Sequence, residues 1–107
     1  MRIRVGDSIM HIPDSVYTYV QDIVDTIVSE LQMIWDKSEM CIQYSYDEIG
    51  DIIEHVYMLG AEVSKLYDKG LINQYDVSDT IYSIKQVITD ILSHVDGVLD
   101  MCHETRW

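Results

Sequence analysis

The sequence predicts an all-α protein, an antiparallel three-helix bundle with a short N-terminal extended arm or β-hairpin. Three segments place apolar residues at helical spacing, and acidic or neutral residues occupy the opposite faces. A chain of 107 residues has the length of one domain and can bury a hydrophobic core without disulfides or bound metal to stabilise it. We therefore expect a single helical domain over 1–107, with an arm at 1–13 and helices at about 14–37, 45–69 and 77–103.

The arm differs from the rest of the chain. Residues 2–5 and 8–12 alternate polar and apolar side chains, and Gly6-Asp7 between them is a turn pair. Because a two-stranded ribbon alone is marginal in water, the arm must pack on the helices or on a partner. Pro13 closes the arm and suits a helix start.

The first helix has a clean division of faces. Its apolar stripe consists of Val16, Val20, Ile23, Ile27, Leu31 and Ile34. Its opposite face carries Asp14, Asp22, Asp25 and Asp36. Such a division is typical of a helix that packs on one side and meets water on the other.

The second helix has the best-marked ends. Ser45 and Glu48 form a capping-box pattern. At the other end Gly70 supplies a left-handed residue, and Leu71 lies where a Schellman motif would contact Leu66. The predicted stripe consists of Ile49, Ile52, Ile53, Val56, Leu59, Val63, Leu66 and Tyr67. Gly60 falls near this stripe, so we expect another helix to approach closely there.

The third helix is expected to begin at Asp76–Ser78. Its predicted stripe consists of Ile81, Ile84, Ile88, Ile91, Val95, Leu99 and Cys102. Connections of about seven to nine residues between the helices favour an up-down-up bundle.

The charge of the chain restricts its partners. Nineteen acids oppose seven bases, for a net charge of −12. Residues 5–105 hold four lysines against all nineteen carboxylates. Such a body repels phosphates and anionic lipid, which disfavours direct binding to nucleic acid or membrane. A basic protein surface, a cationic ligand or a divalent metal fits better.

The two cysteines, Cys41 and Cys102, do not form a disulfide framework by number or spacing. Cys102 lies on an apolar stripe, which predicts a buried, inert thiol. No run approaches the roughly 18–20 apolar residues that a membrane span requires. These observations together predict a reduced, cytoplasmic protein.

Two pairs of acids carry a resemblance to a known enzyme family. Asp22-x-x-Asp25 and Glu48-x-x-Asp51 resemble the paired metal-binding helices of the all-α nucleotide pyrophosphatases, although that family has Glu at both first-helix positions. The resemblance covers about 30 residues and implies that the four carboxylates bind Mg²⁺ and a nucleoside triphosphate. Against this alternative, Asp22 and Asp25 project about 150° away from the stripe of their own helix, towards water.

Eight tyrosines supply most of the aromatic side chains, and several lie at the stripe margins. Tyrosine is favoured at interfaces because it adds area and keeps a hydrogen-bonding tip. Tyr17 and Trp35 share one flank of the first helix, and Trp107 lies at the end of the sequence.

We therefore expect a small acidic, non-enzymatic interaction protein that binds a basic partner surface, with no catalytic residues and no cofactor. The predicted partner-binding residues are Asp22, Asp25, Asp51, Glu62, Tyr17 and Trp35. The most concrete version is an inhibitor from a virus or mobile element that blocks the nucleic-acid-binding site of a host protein. The alternatives are the Mg²⁺-dependent pyrophosphatase and a homo-oligomeric helical scaffold, such as a homodimer.

Overall fold

The computed structural model describes residues 1–104 and is mostly helical. Helices α1, α2 and α3 span Asp14–Glu39, Tyr46–Asp68 and Gln74–Glu104. Strands β1 (Arg2–Val5) and β2 (Ser8–His11) precede them as an antiparallel hairpin. The three predicted helices and the N-terminal hairpin are thereby confirmed, while Trp107 lies outside the described residues. Within residues 1–104, no helix has the combination of length and apolar character needed to cross a membrane.

Helix α1 is the element that the rest of the chain packs against. It contacts α2, α3 and β1, and its residues Val24, Ile27 and Leu31 are fully buried. The predicted α1 stripe is buried throughout except for Ile23, which is partly buried. The core is completed from α2, α3 and the hairpin by residues that include Leu59, Val63, Ile84, Ile91, Val95, Val5 and Met10.

Local capping defines the ends of α2 as predicted. The Ser45 hydroxyl accepts a hydrogen bond from the Glu48 backbone N–H, and the Ser45 N–H donates to Glu48 Oε1 at 3.0 Å. At the other end Gly70 has a φ of 73°, and the Leu71 N–H donates to the Leu66 carbonyl at 3.0 Å. This pair of features is the expected Schellman ending.

Helix α3 begins at Gln74, earlier than the sequence predicts. Asn73 and Asp76 explain the difference. The Asp76 N–H donates to Asn73 Oδ1 at 2.8 Å, and the Asn73 N–H donates to Asp76 Oδ2 at 3.3 Å. Asn73 thus caps the helix, and Asp76 lies in its first turn rather than at its start.

The hairpin is held by α1 and α3. Gly6 lies in the turn with a φ of 58°, and its N–H donates to Gln32 Oε1 at 2.9 Å. On the other side the His11 N–H donates to Ser83 Oγ at 2.8 Å. The ring of Trp35 packs directly under Gly6 and stacks on His94, with ring centroids 4.0 Å apart.

Part of the predicted α2 stripe is wrong. Ile53 and Tyr67 are 50% and 48% exposed, whereas Ile52, Leu59, Val63 and Leu66 are buried. The prediction assumed that all apolar residues of this stripe are buried, but only the residues on one side of it are buried. The expected close approach at Gly60 is also absent, because a Cβ built there would meet nothing within 4 Å.

The prediction of a free, inert Cys102 thiol is wrong, because Cys41 and Cys102 form a disulfide. Their Cα atoms lie 5.8 Å apart although 61 positions separate them in sequence. Cys41 follows the end of α1 with a φ of 58°, and Cys102 lies in the last turns of α3. The bond therefore joins the α1–α2 connection to the end of α3.

Replacing Gly6 with alanine is expected to destabilise the protein. The new Cβ would lie 2.5 Å from Trp35 Cε3, and a left-handed φ is unfavourable for alanine. We expect the free energy of unfolding to fall by about 2–4 kcal/mol, measured by urea denaturation followed by circular dichroism. Gly97→Ala is the matched control: its Cβ meets nothing, so stability should hold or rise. Equal stabilities for the two variants would contradict the packing of Trp35 under the turn.

Reducing the disulfide is expected to lower the free energy of unfolding by about 2–4 kcal/mol, since the bond restricts a long loop in the unfolded chain. Urea denaturation with and without reductant measures the change. The double variant Cys41→Ser/Cys102→Ser should be insensitive to reductant. Free thiols on the untreated protein, detected by mass spectrometry after alkylation, would contradict the disulfide.

Candidate functional site

Three neighbouring depressions along α1 and α2 bring most of the predicted acidic site residues onto one side of the protein. The first is lined by Asp22 and Glu62, and the second by Asp22, Asp25 and Glu30. The third is lined by Glu30, Glu48 and Asp51. We call this surface the acidic face, defined by Asp22, Asp25, Glu30, Glu48, Asp51 and Glu62.

The continuity of the face follows from shared residues. Asp22 lines the first two depressions, and Glu30 lines the last two. Asp22 and Asp25 point outward because the seam of α1, opposite them, is buried. Sequence analysis predicted Asp22, Asp25, Asp51 and Glu62 as partner-binding residues, and the packing of α1 beside α2 brings these four carboxylates onto one surface.

Basic side chains neutralise the face only in part. Lys37 Nζ lies 2.9 Å from Glu48 Oε2, and His55 Nδ1 lies 2.8 Å from Glu30 Oε1. Lys65 contacts Glu62 at 3.3 Å in an exposed pair, which contributes little to stability. Asp22, Asp25 and Asp51 contact no basic side chain among residues 1–104. The face therefore keeps a net negative charge.

Large apolar side chains interrupt the carboxylates. Tyr19 and Met58 line the first depression, and Met33 lines the second and third. All three are about half exposed. Aromatic and methionine side chains are enriched at the centres of protein interfaces. Sequence analysis did not single out these three residues, although acidic residues lie near each of them in the sequence.

The two aromatic residues predicted to bind a partner, Tyr17 and Trp35, both form contacts within the protein. Tyr17 packs against the core, and its hydroxyl donates to Asp25 Oδ1 at 2.8 Å, which raises the pKa of the Tyr17 hydroxyl. Trp35 stacks on His94, and its indole N–H donates to Glu39 Oε1 at 2.8 Å. Tyr17 thus orients an acidic-face carboxylate, while Trp35 supports the hairpin.

The carboxylates proposed for Mg²⁺ do not form a metal centre in the part of the chain that the structure describes. Nowhere in residues 1–104 do three His, Cys, Asp or Glu side chains converge as a metal would require. Glu48 is also occupied, since it accepts hydrogen bonds from Lys37 and from the Ser45 backbone. Nothing in this geometry supports the pyrophosphatase alternative.

The charge density of the acidic face can be compared with that of duplex and single-stranded nucleic acid. The six carboxylates of the face extend over about 21 Å of α2, from Glu48 to Glu62. That is roughly one carboxylate per 3.5 Å, and roughly one net negative charge per 5 Å once Lys37 and Lys65 are subtracted, compared with about 1.7 Å in duplex DNA and 3.4 Å along a single strand. The face is too sparse to match a duplex.

Comparisons with known proteins give no family assignment. No protein-family model matches the chain, and no curated protein and no solved structure matches it significantly.

The Lys37–Glu48 pair predicts a pH dependence of stability. Lys37 and the Ser45 N–H hold the pKa of the Glu48 carboxyl below its ordinary value near 4.5. A lowered folded-state pKa stabilises the protein above the unfolded pKa, and that stability is lost as pH falls through the folded value. Glu48→Gln should therefore lower the free energy of unfolding by about 0.5–1 kcal/mol at pH 7, and the difference should shrink towards pH 3.

Urea denaturation at a series of pH values measures this difference. Glu54→Gln, on an exposed position of α2, is the control and should show a smaller difference at neutral pH. A Glu48→Gln deficit that stays constant from pH 7 to pH 3 would contradict the ion pair's contribution.

Proposed function

We propose that this protein is a non-enzymatic interaction protein whose acidic face docks on a basic surface of another protein. The observation that carries the proposal is the acidic face: carboxylates from two helices share one surface, and Asp22, Asp25 and Asp51 contact no base among residues 1–104. Such an arrangement attracts a basic partner over several ångströms and repels anions.

The charges and the apolar residues have separate roles in this proposal. Exposed rim carboxylates chiefly raise the association rate and select against acidic partners. Tyr19, Met33 and Met58 offer the area that becomes buried, and such anchors account for most of the affinity at protein interfaces. The acidic residues therefore steer the partner, and the apolar residues hold it.

The finer version of the proposal is inhibition by a viral or mobile-element protein at a nucleic-acid-binding site. A charge density this far below that of a duplex supports a site that normally holds a single strand more than one that holds a duplex. A basic channel of this kind would accept the acidic face in place of phosphates.

We also propose that the three helices pack as an antiparallel bundle, which would align the two helices of the acidic face side by side. Two contacts support opposite directions for α1 and α2. Lys37, near the end of α1, contacts Glu48 at the start of α2, whereas Glu30, earlier in α1, contacts His55, later in α2.

The disulfide bears on location. Sequence analysis predicts the cytoplasm, but disulfides persist chiefly in secreted, periplasmic and virion proteins and inside hyperthermophiles. We therefore propose oxidising surroundings or a hyperthermophilic host rather than a reducing cytoplasm. The Cys41–Cys102 bond supports this proposal.

The decisive experiment removes the charges of the acidic face without changing the fold. The variant Asp22→Asn/Asp25→Asn/Asp51→Asn/Glu62→Gln should bind a basic partner, captured from host extract at low salt, at least about tenfold more weakly. Affinity of the unmodified protein should also fall as salt rises.

A matched control removes the same number of charges elsewhere. The variant Asp7→Asn/Asp79→Asn/Asp90→Asn/Asp100→Asn has the same net charge, and its changes lie on the hairpin turn and on α3. Binding should be nearly retained in this control. Equal losses in both variants would show that net charge alone, rather than the acidic face, attracts the partner.

A further inference from the structure

Helix α2 has a second exposed surface that the proposed function does not use. Seven positions from Tyr46 to Tyr67 follow one another at alternating spacings of four and three residues and carry no charge. We call this surface the α2 stripe, defined by Tyr46, Gly50, Ile53, Tyr57, Gly60, Ser64 and Tyr67. In a chain with nineteen acids, an uncharged line over the full length of a helix is a specific feature.

The α2 stripe is exposed although much of it is apolar. Tyr57 is 76% exposed, and Ile53 and Tyr67 are about half exposed. Each stripe position from Ile53 to Tyr67 follows a position of the buried or partly buried seam, so the stripe lies about 100° round the helix from that seam. His55 and Met58 mark the α1 side of α2, because His55 contacts Glu30 and Met58 lines the first depression. The stripe is turned away from that side.

The glycines of the stripe are not required by packing within residues 1–104. A glycine inside a helix costs about 1 kcal/mol relative to alanine. At Gly50 and Gly60 an added Cβ would meet nothing within 4 Å, so intramolecular packing does not require either glycine. Small residues between large ones on one helix face leave space into which a second helix can insert its side chains.

The charges beside the stripe indicate which kind of partner helix could bind there. Four positions directly flank the stripe in a heptad: those after Tyr46, Ile53, Gly60 and Tyr67, which are Asp47, Glu54, Ala61 and Asp68. The positions after Gly50, Tyr57 and Ser64, which are Asp51, Met58 and Lys65, lie further round the helix. Three of the four directly flanking positions are carboxylates and none is basic. A partner helix with lysine or arginine beside its apolar seam would pair with this row.

The same row disfavours a second copy of this chain. In an antiparallel pair of α2 helices, Asp47, Glu54 and Asp68 would face the same carboxylates of the other copy. In a parallel pair they would face the positions of Ile49, Val56 and Val63, which already pack on or within the protein's own core.

From these observations we infer that the α2 stripe docks an amphipathic helix of a partner protein, with an apolar seam flanked by basic residues. The inference rests on the proposed function only in requiring a basic partner. It adds a second surface, a helical mode of recognition and a set of contacts independent of the acidic face.

The test uses a defined probe and two matched variants. The probe is a fluorescently labelled three-heptad peptide with leucine at the seam positions and lysine at the flanking positions. Gly60→Arg and Gly97→Arg make the same change in net charge, at two helical glycines where a Cβ meets nothing. Both should fold, since arginine favours a helix more than glycine does, and circular dichroism checks this.

The expected result is a difference between the two variants. Gly60→Arg should raise the dissociation constant of the peptide, measured by fluorescence anisotropy, at least about tenfold, and Gly97→Arg should raise it less than about threefold. If Gly60→Arg does not fold, Tyr57→Ser replaces it, because that side chain is largely exposed. Equal weakening by both arginines would overturn the stripe inference while leaving a general electrostatic attraction, and thus the proposed function, intact.

Two further arms test the identity of the occupant. A peptide of the same composition in scrambled order should bind at least about tenfold more weakly, and equal binding would overturn helical recognition. A peptide with glutamate at the flanking positions should bind weakly, and equal binding would overturn the basic occupant. Light scattering of the protein alone should show a monomer. A dimer that Gly60→Arg disrupts and Gly97→Arg does not would make the occupant a second copy and overturn the inference.

Discussion

The buried seam of α1 is the constraint on which the rest of the structure depends. Val24, Ile27 and Leu31 are fully buried because the helix is covered by α2, α3 and β1. A helix covered in this way has one remaining face for water, and on α1 that face carries Asp22 and Asp25. Burial of one side of α1 therefore determines where the charges of the acidic face can lie.

Helix α2 presents two different surfaces, one on each side of its buried seam. On the α1 side it contributes Glu48, Asp51 and Glu62 to the acidic face. On the other side it exposes Ile53 and Tyr57 in a row without charge. A partner that is basic and also carries an apolar helix can use both surfaces, and their separation round one helix lets each be altered without the other.

Sequence reasoning was most successful where local chemistry decides the structure. The capping box at Ser45 and the ending at Gly70 depend on residues a few positions apart, so both could be predicted. It was less successful where distant residues decide. Whether Ile53 is buried depends on how much of α2 a neighbour covers, and the partnership of Cys41 with Cys102 depends on two helix ends that the fold brings together.

The candidate site shows the same division. The composition predicted an acidic surface, and helical phase placed Asp22 and Asp25 on the side of α1 that faces water. The carboxylates of α1 and α2 share one face because of how the two helices are rotated relative to each other. Residue spacing within a single helix does not determine that rotation. The stacking of Trp35 was not predicted for a related reason: its partner His94 lies on α3, and spacing within α1 does not show which residues of another helix lie beside it.

The disulfide gives the backbone a topology that its sequence order does not have. Because Cys41 is joined to Cys102, the chain from one cysteine to the other is a closed covalent ring that contains all of α2 and most of α3. A protease that cuts one peptide bond inside this ring opens it but releases no fragment. The connection between α2 and α3 can therefore be severed while both pieces stay covalently attached to α1, and a reductant would break that last covalent link.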